Sequence, residues 1–171
     1  MVTAHNGGMS RILLVRHAMP ALDPETDPSE WDLSPEGVAA ARLLGPLLPA
    51  DAVLVSSDEP KALSTLAAAA PGRTVIAESG LREVERPREP FDREARLAYV
   101  AGRPPDGWED PATVVARVEA VVARHRHATR PLVLGGHGMA FTTWLVSRGL
   151  VRDPAGFWSS LRLPDVVETA V

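Results

Sequence analysis

Cysteine is absent from the 171 residues of this chain, and no uninterrupted apolar run approaches the ~18 residues that cross a bilayer. The missing cysteine excludes a disulfide framework, a thiolate-ligated zinc or iron–sulfur site and an enzyme with a thiolate nucleophile. The formal net charge is -4 and the pI is about 5.7. Because binders of nucleic acid and of anionic membranes need an excess of cations on one face, neither is an expected partner.

Lysine is nearly absent as well, since only Lys61 among the 18 basic residues is a lysine. The composition is 45% hydrophobic and 23% charged, which is close to the globular average. The length suits one domain with a proper core and is too short for two of ordinary size. A mildly acidic chain of this kind can still hold a local cationic pocket.

The first ten residues lack the basic start and the apolar stretch of a secretory signal. We therefore interpret residues 1–10 as a flexible N-terminal extension and residues 11–171 as a single domain. With no export signal and no cysteine, the sequence predicts a cytoplasmic protein.

Short apolar segments alternate with helical ones along the chain. The predicted strands are residues 11–15, 51–56, 74–77, 131–135 and 166–171, and the predicted helices are residues 35–48, 59–70, 91–101, 111–127 and 139–148. Ser34 and Pro35 provide an N-cap and a first helical residue, and Asp58 is a candidate cap for the second helix. The alternation predicts a layered α/β fold with a mainly parallel sheet.

In such sheets the ligand site lies at the carboxyl ends of the strands. The residues just past the predicted strands are Arg16 and His17, Ser56 to Lys61, Arg82 and Glu83, and His137 and Gly138. A lone histidine at a strand end is usually a structural residue, but here four segments deliver two histidines, several cations and a carboxylate to one edge. Cations, neutral imidazoles and helix N-termini together favour a dianion.

Five motifs in this order resemble those of the histidine phosphatase superfamily, also called the phosphoglycerate mutase-like family. They are Leu14-Val15-Arg16-His17-Ala18, the helix start Leu33–Gly37, the block from Ser56 to Thr65, Leu81-Arg82-Glu83, and Gly136-His137-Gly138. The match spans about residues 11–145. The resemblance implies a three-layer α/β/α sandwich of the phosphoglycerate mutase type.

The resemblance also implies a reaction through a phosphohistidine. His17 attacks phosphorus, its pKa lowered by flanking cations, and Glu83 protonates the leaving oxygen, for which its pKa should be raised by burial. The residues expected to bind the phosphoryl oxygens or the rest of the substrate are Arg16, Lys61, His137, Gly138 and Arg82. No metal and no cofactor are required.

Lys61 departs from the family pattern, because the family carries an arginine there. Lysine keeps the charge but is a flexible point donor, so phosphate should be held less rigidly. Either the activity is weak or another arginine supplies the missing fork, the candidates being Arg82, Arg86 and Arg88. The alternative is that Lys61 is a surface residue of the helix.

Asp58 and Glu59 are a second departure, since the family tends to have proline and an apolar residue there. Two carboxylates at the mouth of a dianion site would repel phosphate, unless Asp58 caps the helix or the pair selects a substrate with a positive group. Glu85 is a rival to Glu83 for the acid role, although the spacing after Leu81 favours Glu83.

The sequence therefore predicts a metal-independent phosphatase acting on a small phosphorylated metabolite or on a phosphohistidine protein. The alternatives are a mutase of the same family, for which the chain is short, and a phosphate- or phosphoprotein-binding module without turnover. A zinc site from His17, His137 and Glu83 is disfavoured because Arg16 would repel the metal. Three aromatic side chains, Trp144, Phe157 and Trp158, are expected in the core, with a homodimer patch as the alternative.

Overall fold

The computed structural model describes residues 11–88 and 90–170, and five strands in these residues form one sheet. The strands are β1 (Arg11–Arg16), β2 (Val53–Ser56), β3 (Val75–Ala77), β4 (Leu132–Gly136) and β5 (Asp165–Ala170). Their order across the sheet is β3-β2-β4-β1-β5, and only the last pair, β1 with β5, is antiparallel. The predicted, mainly parallel sheet is confirmed.

Within the same described residues, six α-helices connect and cover these strands. They are α1 (Pro35–Arg42), α2 (Pro60–Ala69), α3 (Arg93–Val100), α4 (Pro111–His125), α5 (Gly138–Ser147) and α6 (Pro154–Ser160). Most begin at a residue whose side chain or ring suits a helix start: Ser34 accepts a hydrogen bond from the backbone N–H of Gly37, and Pro35 follows it.

The two faces of the sheet are buried under different helices. Alternate side chains such as Leu14 and Leu134 pack against α3, α4 and α5, whereas Leu13 and Val133 pack against α2 and the turn after α1. Since side chains alternate along a strand, one continuously apolar strand supplies both cores. The result is the three-layer α/β/α sandwich expected of the phosphoglycerate mutase type.

Three details of the predicted helices are wrong. The first helix ends at Arg42 instead of residue 48, because Gly45 and Pro46 interrupt it and a short 3-10 helix, Gly45–Leu47, follows. Helix α4 ends at His125, since Arg126 adopts an extended conformation. Helix α6 was not predicted at all.

The aromatic residues and the chain ends complete the comparison. Trp144 is fully buried, while Phe157 and Trp158 are partly buried against the same core, as expected. The predicted N-terminal extension, residues 1–10, lies outside the described residues. The same is true of Val171, the last residue of the predicted final strand. No helix in residues 11–88 and 90–170 is long and apolar enough to cross a membrane.

Candidate active site

The carboxyl ends of β1 and β4 lie side by side and bring the two predicted histidines together. Arg16 is in parallel register with Gly136, and the backbone N–H of His17 donates to the Gly136 carbonyl at 3.0 Å. His137 follows directly as the N-cap of α5. The ring centroids of His17 and His137 are 5.1 Å apart.

The protonation of His17 is set by its own backbone neighbour. The ring nitrogen Nδ1 lies 2.8 Å from the carbonyl oxygen of Ala18, which accepts only, so Nδ1 carries the hydrogen and Nε2 carries a lone pair. Burial lowers the pKa of His17 to about 3, and the nearby His137, Lys61 and Arg16 contribute to this shift. The expected low pKa is therefore present, although burial rather than the flanking cations is its largest cause.

His137 is fully buried and is held through one ring nitrogen only. Its Nε2 lies 3.1 Å from Ser57 Oγ and 3.5 Å from Glu59 Oε1, whereas Nδ1 has no hydrogen-bond partner among the described residues. Burial lowers the pKa of His137 to about 3; Glu83 opposes this shift, and Lys61 adds to it. Both imidazoles are therefore neutral at neutral pH.

Arg16, next to His17 in the chain, has a hydrogen-bond donor, Nε, that has no partner among the described residues. Its Nη1 donates to the carbonyl of Leu161 at 2.7 Å, but within residues 11–88 and 90–170 its buried Nε has no hydrogen-bond partner. Burial lowers the pKa of Arg16, while Glu83 and Asp165 oppose that shift, and an arginine stays charged regardless. A Cβ at Gly138 would lie 3.2 Å from this Nε, so the glycine lets the first turn of α5 approach the guanidinium closely.

Glu83 lies at the N-terminus of α5 and binds its free N–H groups. Its Oε1 accepts hydrogen bonds from the backbone of Val84 and of Ala140, both at 3.0 Å, and its Oε2 accepts one from Met139 at 3.3 Å. Burial alone would raise the pKa of Glu83. Below about pH 3, where Glu83 titrates, His137 is protonated; its charge, that of Arg86 and the backbone hydrogen bonds from Val84 and Ala140 outweigh burial and lower the pKa of Glu83 to about 2. The prediction of a raised pKa is therefore wrong, because a carboxylate that accepts backbone N–H bonds is stabilised in its ionised form.

Lys61 is buried in the site and forms an ion pair that the sequence did not predict. Its Nζ donates to Glu59 Oε2 at 2.5 Å and to the carbonyl of Pro28 at 2.6 Å. Only 6% of Lys61 and 5% of Glu59 are exposed, which rules out the alternative of a surface lysine. The loop over residues 20–32 thus contacts the phosphate-binding candidate directly, through Pro28.

The expectation that Asp58 caps α2 is wrong, because the N-cap of that helix is Glu59 and no side chain caps it. Asp58 instead pairs with Arg82 through two hydrogen bonds of 2.6 and 2.8 Å at the surface. The side chain of Arg82 is 58% exposed. The structure therefore places this predicted substrate-binding arginine beside Asp58 and outside the histidine cluster.

The other arginines considered as replacements for the guanidinium that Lys61 lacks, Arg86 and Arg88, also have partners within the protein. Arg86 donates to the Val84 carbonyl and lies over the ring of Trp108, 5.7 Å from its centroid. Arg88 donates to the carbonyl of Pro24. Glu85, the rival acid, is exposed.

Two polar residues of the site were missed by the sequence analysis. Thr65 accepts a hydrogen bond from the Ala18 N–H at 2.9 Å and donates to the Lys61 carbonyl at 2.7 Å, linking the segment that follows β1 to α2. Ser57 contacts His137 and accepts from the Glu59 N–H at 3.2 Å. Both belong to the motif from Ser56 to Thr65, so their sequence signal was present but was not assigned a role. Within residues 11–88 and 90–170, no group of three or more His, Cys, Asp and Glu side chains is arranged to hold a metal ion.

Comparisons with known proteins agree with this geometry. The family model of the histidine phosphatase superfamily (branch 1) matches residues 12–166. No curated protein matches the sequence. Solved structures, in contrast, do match the chain.

Three solved structures illustrate the shared fold. The "mycobacterial hydrolase 1" is 23% identical, covers 95% of this chain and 92% of its own, and has a TM-score of 0.71. A mycobacterial glucosyl-3-phosphoglycerate phosphatase is 24% identical, with coverages of 94% and 89% and a TM-score of 0.68. TTHB049 from Thermus thermophilus is 26% identical, with coverages of 81% and 84% and a TM-score of 0.63. The glucosyl-3-phosphoglycerate phosphatase has also been solved with VO3 and with inorganic phosphate.

The family model extends from the second residue of β1 to the second residue of β5, so it includes β2, β3, β4 and both histidines and reaches into the two remaining strands. The solved structures have the same fold over most of their own lengths. The chain belongs to the histidine phosphatase superfamily (branch 1) and is a phosphatase of that superfamily.

Proposed function

We propose that this phosphatase hydrolyses phosphomonoesters, without a metal, through a phosphohistidine on His17. The observation that carries the proposal is the arrangement around Nε2 of His17. That lone pair lies in a site where two buried nitrogens, Arg16 Nε and His137 Nδ1, have no partner in the part of the chain that the structure describes. Buried polar nitrogens are rarely left unsatisfied, and phosphoryl oxygens are acceptors that would satisfy them.

The reaction proceeds in two displacements. In the first, Nε2 of His17 bonds to phosphorus while the bond from phosphorus to the ester oxygen breaks, and that oxygen takes a proton from Glu83. In the second, a water oxygen bonds to phosphorus, the N–P bond breaks, and the water proton passes to the Glu83 carboxylate. Arg16 and His137 stabilise the negative charge on the phosphoryl oxygens throughout.

The low pKa of Glu83 determines where the first proton comes from. With a pKa of about 2, Glu83 is a carboxylate in the free enzyme. A phosphomonoester has a second pKa of about 6 and therefore brings a proton when it binds as the monoanion. Glu83 accepts that proton, since the adjacent phosphate charge raises the pKa of the carboxyl, and then delivers it to the leaving oxygen.

We further propose a small phosphorylated metabolite as the substrate. The similar mycobacterial phosphatase is named for a phosphorylated sugar acid, which supports this class over a phosphoprotein. The loop over residues 20–32 also lies beside the site, because Lys61 contacts it twice, through the carbonyls of Trp31 and Pro28. A loop held in this way leaves less room for a folded protein partner than for a small molecule.

Turnover of a panel of phosphorylated sugars, sugar acids and a phosphohistidine peptide, measured in EDTA, tests the proposal. We expect hydrolysis of a small metabolite in EDTA and its loss in His17→Ala. A mutase would instead transfer the phosphoryl group to a second hydroxyl without releasing phosphate. Binding of phosphate with no turnover of any member would indicate a binding module and contradict the proposal.

The homodimer and the cytoplasmic location expected from the sequence remain predictions. Sedimentation of the purified chain measures the first. Fractionation of the source cells measures the second.

A further inference from the structure

We propose that Glu59 is a specificity-determining residue that weakens the hold of the pocket on dianionic phosphate. Its carboxylate forms an ion pair with Lys61 and so offsets the positive charge of that lysine before a ligand binds. The inference rests on the proposed function, since it assumes that phosphate binds between His17, Arg16 and His137. It goes beyond that function by assigning a role to a residue that takes no part in the two displacements.

The contacts of Glu59 connect three parts of the site. Oε2 accepts from Lys61 Nζ at 2.5 Å, and Oε1 accepts from the backbone N–H of Glu83 at 2.8 Å. The same Oε1 lies 3.5 Å from Nε2 of His137, whose ring centroid is 5.1 Å from that of His17. The carboxylate is therefore separated from the nucleophile by a single side chain.

Glu59 removes one positive charge from the surroundings of the two histidines, because it pairs with Lys61. Arg16 and Lys61 contribute two positive charges, and Glu59 and Glu83 contribute two negative ones. Both histidines are neutral, each with a pKa of about 3. At the rim, Asp58 and Arg82 cancel each other as well. Coulomb energy scales with the charge on the ligand. Compared with a pocket that lacks the Glu59 charge, the pocket therefore attracts a dianion less by twice the energy that it loses for a monoanion.

Two further cations act on His137 from outside this set of four side chains, and both remain when Glu59 is changed. Arg117 is paired with Glu109 at 2.8 Å. Arg86 donates to the Val84 carbonyl and lies over Trp108. Neither guanidinium contacts Glu59 or Lys61 in the described residues.

The surroundings of Glu59 do not favour the other alternative, in which it would select a substrate with a positive group. Glu59 is 5% exposed, and both of its oxygens already accept hydrogen bonds. A substrate cation would have to displace Lys61 to reach the carboxylate. The internal cation is therefore the partner of Glu59, and the residue acts on the phosphate through charge.

Competitive inhibition by inorganic phosphate tests the proposal in the Glu59→Gln variant. Glutamine keeps the acceptor for the Glu83 N–H but removes the charge. We expect the inhibition constant to fall roughly tenfold at about pH 8, where phosphate is mainly the dianion, and roughly threefold at about pH 5, where it is the monoanion. The histidines stay neutral at both values, so only the ligand charge changes.

A gain of affinity is a result that a purely structural role for Glu59 would not produce. Asp58→Asn is the matched control, because it removes the neighbouring carboxylate, whose partner Arg82 is at the surface, and we expect less than about a twofold change. The double variant Glu59→Gln/Lys61→Met should lose the gain, since the released charge belongs to Lys61.

The outcomes separate this inference from the proposed function. Unchanged or weaker binding of phosphate by a folded Glu59→Gln variant, or an equal gain at both pH values, would overturn the role of Glu59. A wild-type enzyme that neither binds phosphate nor depends on His17 would overturn the proposed function instead. Circular dichroism of each variant identifies any that fail to fold. If Glu59→Gln fails to fold, inhibition by vanadate is measured in Glu59→Asn instead, and we expect tighter inhibition than in the wild type.

Discussion

Gly138 occupies the point at which the guanidinium of Arg16 passes the first turn of α5. An added Cβ would lie 3.2 Å from Arg16 Nε and 3.1 Å from Trp158 Nε1, which is closer than a Cβ normally approaches its neighbours. One of these side chains would have to move by a few tenths of an ångström. Arg16 Nε has no hydrogen-bond partner among the described residues, so its position matters for the phosphate binding that we propose.

We therefore expect Gly138→Ala to lower kcat/KM about tenfold while the protein stays folded. Steady-state kinetics and thermal unfolding measure the two effects separately. Ser147→Ala, at the other end of α5, is the control and should leave kcat/KM unchanged. A Gly138→Ala enzyme with wild-type kcat/KM would show that Arg16 Nε does not hold the substrate.

At the scale of single residues, the sequence predicted positions better than environments. The strand-end rule brought His17, His137 and Glu83 to one edge, because parallel strands share their carboxyl ends. It could not give the low pKa of Glu83, which depends on backbone N–H groups from a different segment. Nor could it give the direction of Glu59, since a glutamate before a proline is equally suited to solvent until Lys61 and the Glu83 N–H are placed beside it.

The N-terminus of α5 is the element on which the site depends most. Its first turn begins directly after His137 and presents free N–H groups to Glu83. A carboxylate at a helix N-terminus is stabilised by the helix dipole and by these hydrogen bonds. Glu83 therefore contributes to stability as well as to the proposed proton transfers.

We expect Glu83→Gln to lower kcat about 100-fold or more and the free energy of unfolding by about 1 kcal/mol. The first effect follows from the missing proton carrier and the second from the lost charge at the helix. Enzyme kinetics and urea unfolding measure them. Glu85→Gln, a change at the exposed neighbour, is the control; an equal loss of kcat in both variants would reassign the acid.

At the scale of elements, the sequence predicted where α1 begins but not where it ends, and it did not predict α6. Ser34 with Pro35 marked the start of α1, but its end was set by Gly45 and Pro46 rather than by the later Pro49. Helix α6 has the same kind of start, since Asp153 accepts from the Gly156 N–H and Pro154 follows it. This signal was present in the sequence; the absence of a long apolar face behind it made the seven-residue helix easy to miss.

For the whole molecule, the buried histidines link stability to pH. Unfolded histidine takes up a proton at about pH 6.5, whereas His17 and His137 take one up only at about pH 3 in the folded chain. Between these values the unfolded chain binds more protons, so stability must fall as the pH falls. Glu83, whose pKa is lowered to about 2, adds to the loss below about pH 4.5.

The free energy of unfolding should decrease from about pH 6.5 to about pH 3, by up to about 1.4 kcal/mol per pH unit for each histidine. Urea unfolding at a series of pH values measures this slope. The double variant His17→Asn/His137→Asn should have a flatter dependence between about pH 6.5 and about pH 4.5. Equal slopes in the two proteins would mean that the folded histidines titrate normally.

The layered architecture itself was predictable because continuously apolar strands such as β1 and β4 require helices on both faces. That architecture places His17 directly after β1 and beside His137, and we propose that a phosphoryl group is transferred to it there. The central claim is the covalent intermediate on its Nε2.

Rapid alkaline quenching of the enzyme during turnover, followed by peptide mass spectrometry, tests this claim most directly. We predict one phosphoryl group on the peptide that contains His17, stable in alkali, lost in acid and absent from His17→Asn. Full turnover with no phosphoenzyme under conditions that trap it, or a phosphoryl group on any other residue, would contradict the account.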